Sequence, residues 1–435
     1  ITASHNPSEY NGYKAYWEDG AQLAPEQANV VSAAISATDI FDGVTRMPLS
    51  DAIAQGICEI VGDALDRTYL EQVEAQLVDP EIVRSTADSL SVVYTPLHGT
   101  GHKLVPEILS RIGVTHLHTV PEQMVIDGSF PTVAFPNPEY PEVFALGIDL
   151  ANEVGSDLII ATDPDADRVG VMAKGKDGQF HCLTGNQMGA LLLDYIITSL
   201  KRQGKLPAEP YAIKSLVSTE MAVKVCATHG VTMFQTYTGF KFIGEKILSE
   251  QKRGNTDGYL LGFEESYGYL RGDYAKDKDA VVTTMLIVEM AAYYRSKGMT
   301  LMDAMDEMYR TYGHYSDGVA NIYMKGLQGL ANMKALMKSL RKDPPREIAG
   351  YEIIRFTDYE AGTTTDNRTG TVSDTGMESA DMLSFVTSAG DTVVIRPSGT
   401  EPKIKLYFLV SGTTAEDAVN KQQAYKTAAL AWTEV

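Results

Sequence analysis

Cysteine is scarce in this chain: Cys58, Cys182 and Cys226 are the only three in 435 residues, and none stands in a CxxC or CxxH spacing. That excludes a disulfide framework and a cysteine-built zinc site, and it points to a reducing compartment, by default the cytoplasm. Long apolar runs are missing too; the stretch 188–197 is far shorter than the roughly 20 residues a membrane helix needs. Positive charge is also short, with 37 Lys and Arg against 57 Asp and Glu, a net of −20. Such a surface repels nucleic acid and anionic lipid, so neither is an expected partner. An anionic substrate needs local cations, and Lys14, Arg168, Lys241, Lys278, Arg396, Lys403 and Lys405 stand near the polar motifs. There is no short-period repeat and no signal of oligomeric state. The first residues form no signal peptide; Ile1 stands directly before a serine motif, so a preceding segment is expected.

What is present is a composition of 44% hydrophobic and 22% charged residues, enough for two to four domains with their own cores. From residue 90 a buried-strand run, a turn at 96–101, an amphipathic stretch to Ile112 closed by Gly113, and a strand at 115–120 make a βαβ unit. A further strand at 157–162 runs into a cluster of aspartates. The rhythm returns as strand 212–217, helix 220–228, strand 231–237, helix 240–250 and strand 258–262, which runs into Glu264-Glu265-Ser266. Ligands of open α/β sheets sit at such carboxyl ends. An apolar helix follows at 280–295, and beyond Gly313 shorter strands with Gly-, Thr- and Asp-rich turns read as an α+β domain. The opening segment, with Asn11-Gly12 and Asp19-Gly20 turn signals and a helix at 25–37, reads as part of a domain.

Four stretches carry chemistry. Asp163, Asp165 and Asp167 alternate, so on a loop their carboxylates converge on one side, a set of hard oxygen ligands that suits Mg²⁺. An EF-hand is excluded, because Arg168 and Lys174 stand where its Gly and Glu belong. Ser4, in Thr2-Ala3-Ser4-His5-Asn6-Pro7, is a nucleophile candidate. A Ser-His-Asp hydrolase is the rival, but sequence neighbours such as Ser4 and His5 are expected to point apart, and the G-x-S-x-G elbow is absent. A serine carrying a phosphoryl group fits better, with His5, Lys14 and a cation to hold the dianion. Glu264, Glu265 and Ser266, before a turn at Gly268-Tyr269, suit sugar hydroxyls, with Lys278 as an acid or base. Arg396, Ser398, Gly399 and Thr400 offer a guanidinium, two hydroxyls and a glycine nest for a phosphate monoester, against a plain turn or helix cap. His98 reads as a turn residue, the Asn367-Arg368-Thr369 sequon as meaningless in the cytoplasm, and the methionines as core.

In that order, and with Asn11-Gly12-Tyr13-Lys14 and Thr236-Tyr237-Thr238-Gly239-Phe240-Lys241, these stretches resemble the α-D-phosphohexomutases, and among them the phosphoglucomutase branch. The resemblance spans the chain. It implies a multi-domain α/β fold of three related α/β domains, the first incomplete, plus a C-terminal α+β domain, around one cleft. The expected divisions are 1–65, 66–185, 186–315 and 316–435. It implies an isomerase in which phosphorylated Ser4 converts glucose 1-phosphate and glucose 6-phosphate through glucose 1,6-bisphosphate, with Mg²⁺ held by Asp163, Asp165, Asp167 and the Ser4 phosphate. His5 and Arg168 stand beside that phosphate, Lys14 and Lys278 move protons, and Thr238, Lys241, Glu264 and Ser266 meet the sugar. Arg396, Ser398, Gly399 and Thr400 hold the other phosphate. Glu264-Glu265-Ser266 favours glucose over mannose and N-acetylglucosamine relatives, while Phe263 is shared with a branch that includes phosphopentomutases. Family members also carry a leading stretch with cations facing the serine, so a non-catalytic phosphosugar-binding fragment is the second reading.

Overall fold

The computed structural model describes residues 1–23, 25–324, 326–398 and 403–433. Packing divides the chain into two units, Ile1–Ser215 with His229–Ala304, and Leu216–Thr228 with Met305–Val435.

The first unit begins with a loop-rich segment carrying α1 (Pro25–Ala37) and α2 (Leu49–Ala54). Asp19-Gly20 does turn the chain there, with Gly20 N–H donating to Trp17 O and Tyr16 bridging Gln22. Asn11-Gly12 does not; Gly12 instead accepts the Thr2 N–H at 3.0 Å, which pins the serine loop. Next come α3 (Asp63–Glu74), α4 (Pro80–Ser85), β1 (Ser91–Thr95), α5 (Gly101–Arg111), β2 (His116–Thr119), α6 (Ala145–Val154), β3 (Leu158–Thr162), β4 (Val169–Lys174) and β5 (Phe180–Leu183). The strands form one sheet in the order β2-β1-β3-β4-β5, parallel between β1 and its neighbours and antiparallel beyond β3. β3 is buried along its whole length, which is why it reads Leu-Ile-Ile-Ala-Thr without alternation. Burying each of its large side chains is worth roughly 1.5–3 kcal/mol.

After α7 (Gly185–Arg202), whose start is closed by a Thr184–Gln187 capping box, β6 (Tyr211–Ser215) opens a second sheet. α8 (Glu220–His229) lies mostly in the second unit; β7 (Thr232–Thr236), α9 (Phe240–Lys252), β8 (Tyr259–Glu264), β9 (Gly268–Leu270) and α10 (Ala280–Ser296) complete the first, and α11 (Leu301–Tyr312) leads out of it. The order β7-β6-β8-β9 repeats the plan of the first sheet, a parallel trio whose last strand folds back as a hairpin. Gly268 and Tyr269 are therefore strand, not the turn expected of them. The turn is 265–267, with Tyr267 at φ 66°. Both polar stretches of this unit are thus the turns of hairpins that begin at the carboxyl end of a parallel strand.

The second unit holds β10 (His314–Tyr323), α12 (Gly326–Lys342), β11 (Glu347–Ile348), β12 (Tyr351–Asp358), β13 (Thr363–Asp366), β14 (Val372–Asp374), β15 (Leu383–Thr387), β16 (Thr392–Pro397), β17 (Lys403–Gly412) and α13 (Ala415–Leu430). Its sheet is antiparallel throughout, β10-β17-β16-β15-β12-β13-β14 with β11 on β12. The expectation of short strands fails for β10 and β17, which pair over ten residues. Met337, Leu340, Phe385, Ile395, Leu406 and Tyr425 belong to the core under its helices.

Candidate active site

The serine loop folds tightly enough to aim its hydroxyl. Ser4 takes a left-handed conformation at φ 55°, its N–H donates to Thr2 Oγ1 at 2.8 Å, and Asn6 N–H closes the turn on Ala3 O at 3.2 Å. Ser4 Oγ lies 3.0 Å from Asp163 Oδ2 and 3.0 Å from His5 Nδ1. Ser4 and His5 therefore do meet, against expectation; Ser4 is left-handed and not extended, and it is in extended backbone that neighbouring side chains point to opposite sides. A hydroxyl has one proton; with it on the Asp163 side, His5 Nδ1 is the N–H donor to Oγ.

The aspartate loop is shaped by its own carboxylate. Asp163 Oδ1 accepts the N–H groups of Asp167 (3.0 Å) and Arg168 (2.9 Å), and Ala166 passes through φ 54° to close the turn. One oxygen from each of Asp163, Asp165 and Asp167 falls within 4.8 Å of the others, so the three carboxylates converge. The loop is held from behind: Thr100 N–H and Oγ1 donate to Pro164 O at 2.8 and 3.0 Å, and a Cβ on Gly99 would meet Pro164 Cα at 2.3 Å. Only glycine allows that approach.

Cations surround this cluster. Lys14 Nζ is 2.9 Å from Asp165 Oδ2 and 2.8 Å from Asp167 Oδ2. Lys278 Nζ is 3.2 Å from Asp167 Oδ2 and 2.8 Å from Asp277 Oδ1, and Tyr16 OH donates to the other oxygen of Asp277 at 2.8 Å. Arg168 Nη1 reaches Glu139 Oε1 at 2.7 Å and Ser266 O at 3.1 Å. Burial alone would discharge Lys14 and Lys278, but Asp167 and its neighbours Asp165 and Asp277 overcome it and hold both as ammonium ions. Burial would likewise raise Asp167, yet Lys278, Lys14 and Arg168 hold it at about 2. Asp163 goes the other way: complete burial, then the charges of Asp167 and Asp165, push its carboxyl well up.

Whether these residues suit a metal ion can be judged from their satisfaction. Asp165 Oδ1 and Asp167 Oδ1 are buried with no hydrogen-bond partner among the described residues, and both residues belong to the converging set. Buried carboxylate oxygens without a donor are costly, and a hard divalent cation is what three such carboxylates accommodate. The residues fit.

The loop of Glu264, Glu265 and Ser266 stands beside it. Glu264, 4% exposed at the end of β8, accepts the Gly239 N–H at 2.6 Å, and its charge is felt by both Arg168 and Lys278. Glu265 accepts from Ser215 Oγ at 2.9 Å, Ser266 offers its carbonyl to Arg168, and Thr238 Oγ1 is buried without a hydrogen-bond partner among the described residues. Lys241 Nζ lies 4.8 Å from the centre of the Phe242 ring. Two main-chain bonds tie the loops together, Val169 N–H to Tyr267 O and Ala280 N–H to Ala166 O, both 3.0 Å. A cavity of about 460 Å³ opens against Asp165, Asp277 and Lys278.

In the second unit, Arg396 is on β16 opposite Lys405, and Ser398 N–H donates to Lys403 O at 2.8 Å, so the described ends of the last motif lie on paired strands. Gly399 and Thr400 lie outside the described residues.

Four family profiles match the chain in order. They are the phosphoglucomutase/phosphomannomutase α/β/α domain I at residues 1–40, domain II at 67–176, domain III at 184–312 and the C-terminal domain at 329–423. A phosphoglucomutase of Staphylococcus epidermidis is 35% identical over 412 residues, covering 94% of this chain and 73% of its own length. The chain belongs to the phosphoglucomutase/phosphomannomutase family. As a member it is a phosphohexomutase, an isomerase. Among solved structures, a phosphoglucomutase/phosphomannomutase family protein of Burkholderia thailandensis matches with a TM-score of 0.64 at 19% identity, covering 100% of this chain and 76% of that one. An N-acetylphosphoglucosamine mutase of Aspergillus fumigatus, solved with GlcNAc-6P and magnesium, matches at 0.60 and 14% identity, over 99% and 88%. These likenesses speak to the fold.

Within the phosphohexomutase frame, Ser4, His5 and Lys14 fall in the domain I match, the aspartates and Arg168 in domain II, Thr238, Lys241, Glu264, Ser266 and Lys278 in domain III, and Arg396 and Ser398 in the C-terminal match. Sequence reasoning missed Thr2, which donates to Asp165 Oδ2 at 3.0 Å, and also Tyr16, Glu139 and Asp277. Asp277, next to Lys278, carried a signal in its position; Glu139 carried none. His98 is structural, buried between Val125 O and Thr132 Oγ1.

Proposed function

We propose that this phosphohexomutase is a phosphoglucomutase that interconverts glucose 1-phosphate and glucose 6-phosphate through phosphorylated Ser4 and a glucose 1,6-bisphosphate intermediate. The observation that carries the reading is Ser4 Oγ at 3.0 Å both from His5 Nδ1 and from a carboxylate of a converging aspartate triad that Lys14 also contacts. Its glucose preference is supported by Glu264-Glu265-Ser266 and by the relatives named phosphoglucomutase.

In the forward half-reaction the substrate's 6-hydroxyl attacks the phosphorus of phosphorylated Ser4, its proton passing to an oxygen of the transferred phosphoryl group, and the P–Oγ bond breaks. In the return half-reaction Ser4 Oγ attacks the phosphorus on C1 of the bisphosphate and releases glucose 6-phosphate. Asp163, already accepting the Ser4 hydroxyl at 3.0 Å, is the group placed to take the proton from Oγ as it attacks and to return it as it leaves. His5 Nδ1–H and Arg168 stabilise the phosphoryl oxygens, while Lys14 and Lys278, kept charged, donate protons rather than accept them. Asp163, Asp165 and Asp167 would hold Mg²⁺, which when bound neutralises charge on the transferring phosphoryl group. Thr238, Lys241, Glu264 and Ser266 orient the sugar. Arg396, Ser398, Gly399 and Thr400 are residue types whose donors suit a phosphate monoester, and we assign them that role. The three free thiols support the cytoplasm as the compartment.

The test is conversion of glucose 1-phosphate, followed by coupled detection of glucose 6-phosphate, with and without Mg²⁺ and glucose 1,6-bisphosphate. Turnover dependent on both is expected, with mannose 1-phosphate converted more slowly. Sugar-phosphate binding with no turnover would replace this reading by a non-catalytic binding protein.

A further inference from the structure

We propose that Asp279, anchored by Tyr69 and Tyr274, is a positioning residue that fixes Lys278 against the aspartate triad; the inference rests on the functional reading above. Asp279 is buried, and its carboxylate has no spare capacity. Oδ1 accepts Val281 N–H at 2.8 Å and Val282 N–H at 3.1 Å, capping α10. Oδ2 accepts Tyr69 OH at 2.7 Å and Tyr274 OH at 2.6 Å. Its own N–H donates to Tyr269 O at 2.9 Å. The side chain thus joins α3, the loop before α10 and α10 itself, and the main chain of the same residue adds β9.

The residues on either side of it in the chain are the ones that touch the reaction centre. Lys278 puts its ammonium 3.2 Å from Asp167 Oδ2, and Ala280 donates its N–H to Ala166 O in the aspartate loop at 3.0 Å. Capping a helix needs only one oxygen acceptor, and Ser or Thr would supply it. The second oxygen, with two tyrosine hydroxyls from different elements converging on it, does nothing for the cap. Its effect is to prevent rotation of the short segment 278–280, and so to hold both contacts at once. A lysine carries large rotamer freedom, and a reacting group must be held within a fraction of an ångström. The stem of Lys278 is also confined by Gly268, where a Cβ would meet Lys278 Cδ at 2.2 Å.

Asp279→Ser separates the two functions, since it keeps a helix cap and removes the anchor of the tyrosines. Tyr69→Phe and Tyr274→Phe remove one hydroxyl each and leave the cap intact. For glucose 1-phosphate conversion, Asp279→Ser and the Tyr69→Phe/Tyr274→Phe pair should lower kcat about tenfold or more with KM within about twofold. In a Lys278→Gln background the same changes should add little, because they act through that lysine. Unchanged kcat, or losses that multiply with Lys278→Gln, would overturn the proposal. A second readout needs no turnover: labelling of lysines by acetic anhydride, read by mass spectrometry. Lys278 should label faster in Asp279→Ser than in the wild type, with other lysines unchanged; equal Lys278 labelling overturns the positioning role. If the wild type itself turns nothing over, the functional reading falls and the labelling result alone decides whether Asp279 holds Lys278.

Discussion

Replacing Glu289 by glutamine removes one buried charge whose cost can be worked out beforehand. Glu289 stands on α10 with no exposure, and its carboxylate accepts the backbone N–H groups of Val78, at 2.9 and 3.2 Å, and of Asp79. Burial pushes its carboxyl up from 4.5 to about 6; the two backbone donors, Tyr195 and Arg271 pull it down and lose. Because the folded protein holds this proton more tightly than the unfolded chain, the contribution is fully present below about pH 4.5 and is lost as the pH rises through about 6. The full loss is about 2 kcal/mol, of which about 1 kcal/mol falls between pH 5 and 7.5. Urea unfolding of wild type and Glu289→Gln at those two pH values gives the comparison. Wild-type stability should fall by about 1 kcal/mol more than that of the variant over the interval, the other titrating groups cancelling. Parallel pH curves for the two proteins would refute the reasoning.

Ser4→Ala should abolish transfer of labelled phosphate from glucose 1,6-bisphosphate to the protein and lower turnover more than about a thousandfold, with little change in melting temperature; retained labelling would remove Ser4 as the carrier. Gly99→Ala drives a methyl into the Pro164 backbone, so it should cost about 1–3 kcal/mol of stability and weaken Mg²⁺ binding by calorimetry, since Pro164 lies between two of the aspartates. Asp163→Asn keeps an oxygen for the Asp167 and Arg168 N–H groups but presents an amide to Ser4, and should lower Mg²⁺ affinity about tenfold or more while the loop stays folded. Wild-type affinity in that variant would show that the triad is not the metal site.

The α/β rhythm was legible because buried parallel strands announce themselves as short apolar runs: β1, β3, β6 and β8 all appear within about two residues of where the pattern puts them. The hairpin partners were not legible. β9 is only Gly268–Leu270, with its glycine and tyrosine reading as a turn, and its strand identity comes from pairing with Gly262 to Glu264. The three aspartates could be read as converging from their alternation alone. The contact between Ser4 and His5 could not, because it depends on one left-handed residue that side-chain identity does not disclose.

The local pattern of residue types was sufficient for the strand ends, the aspartate alternation, the scarcity of cysteine and the ordered stretches that carry the family resemblance, since each depends on neighbours within a few positions. Which charges meet was settled by folding. Lys14 is 151 residues from Asp165, Ser4 is 159 from Asp163 and Tyr69 is 210 from Asp279, yet each pair is within hydrogen-bonding distance. The protonation of the site follows from those meetings: burial raises Asp163, while two lysines from distant segments hold Asp167 low. Those are properties of distance and dielectric, which a linear order of residues does not contain.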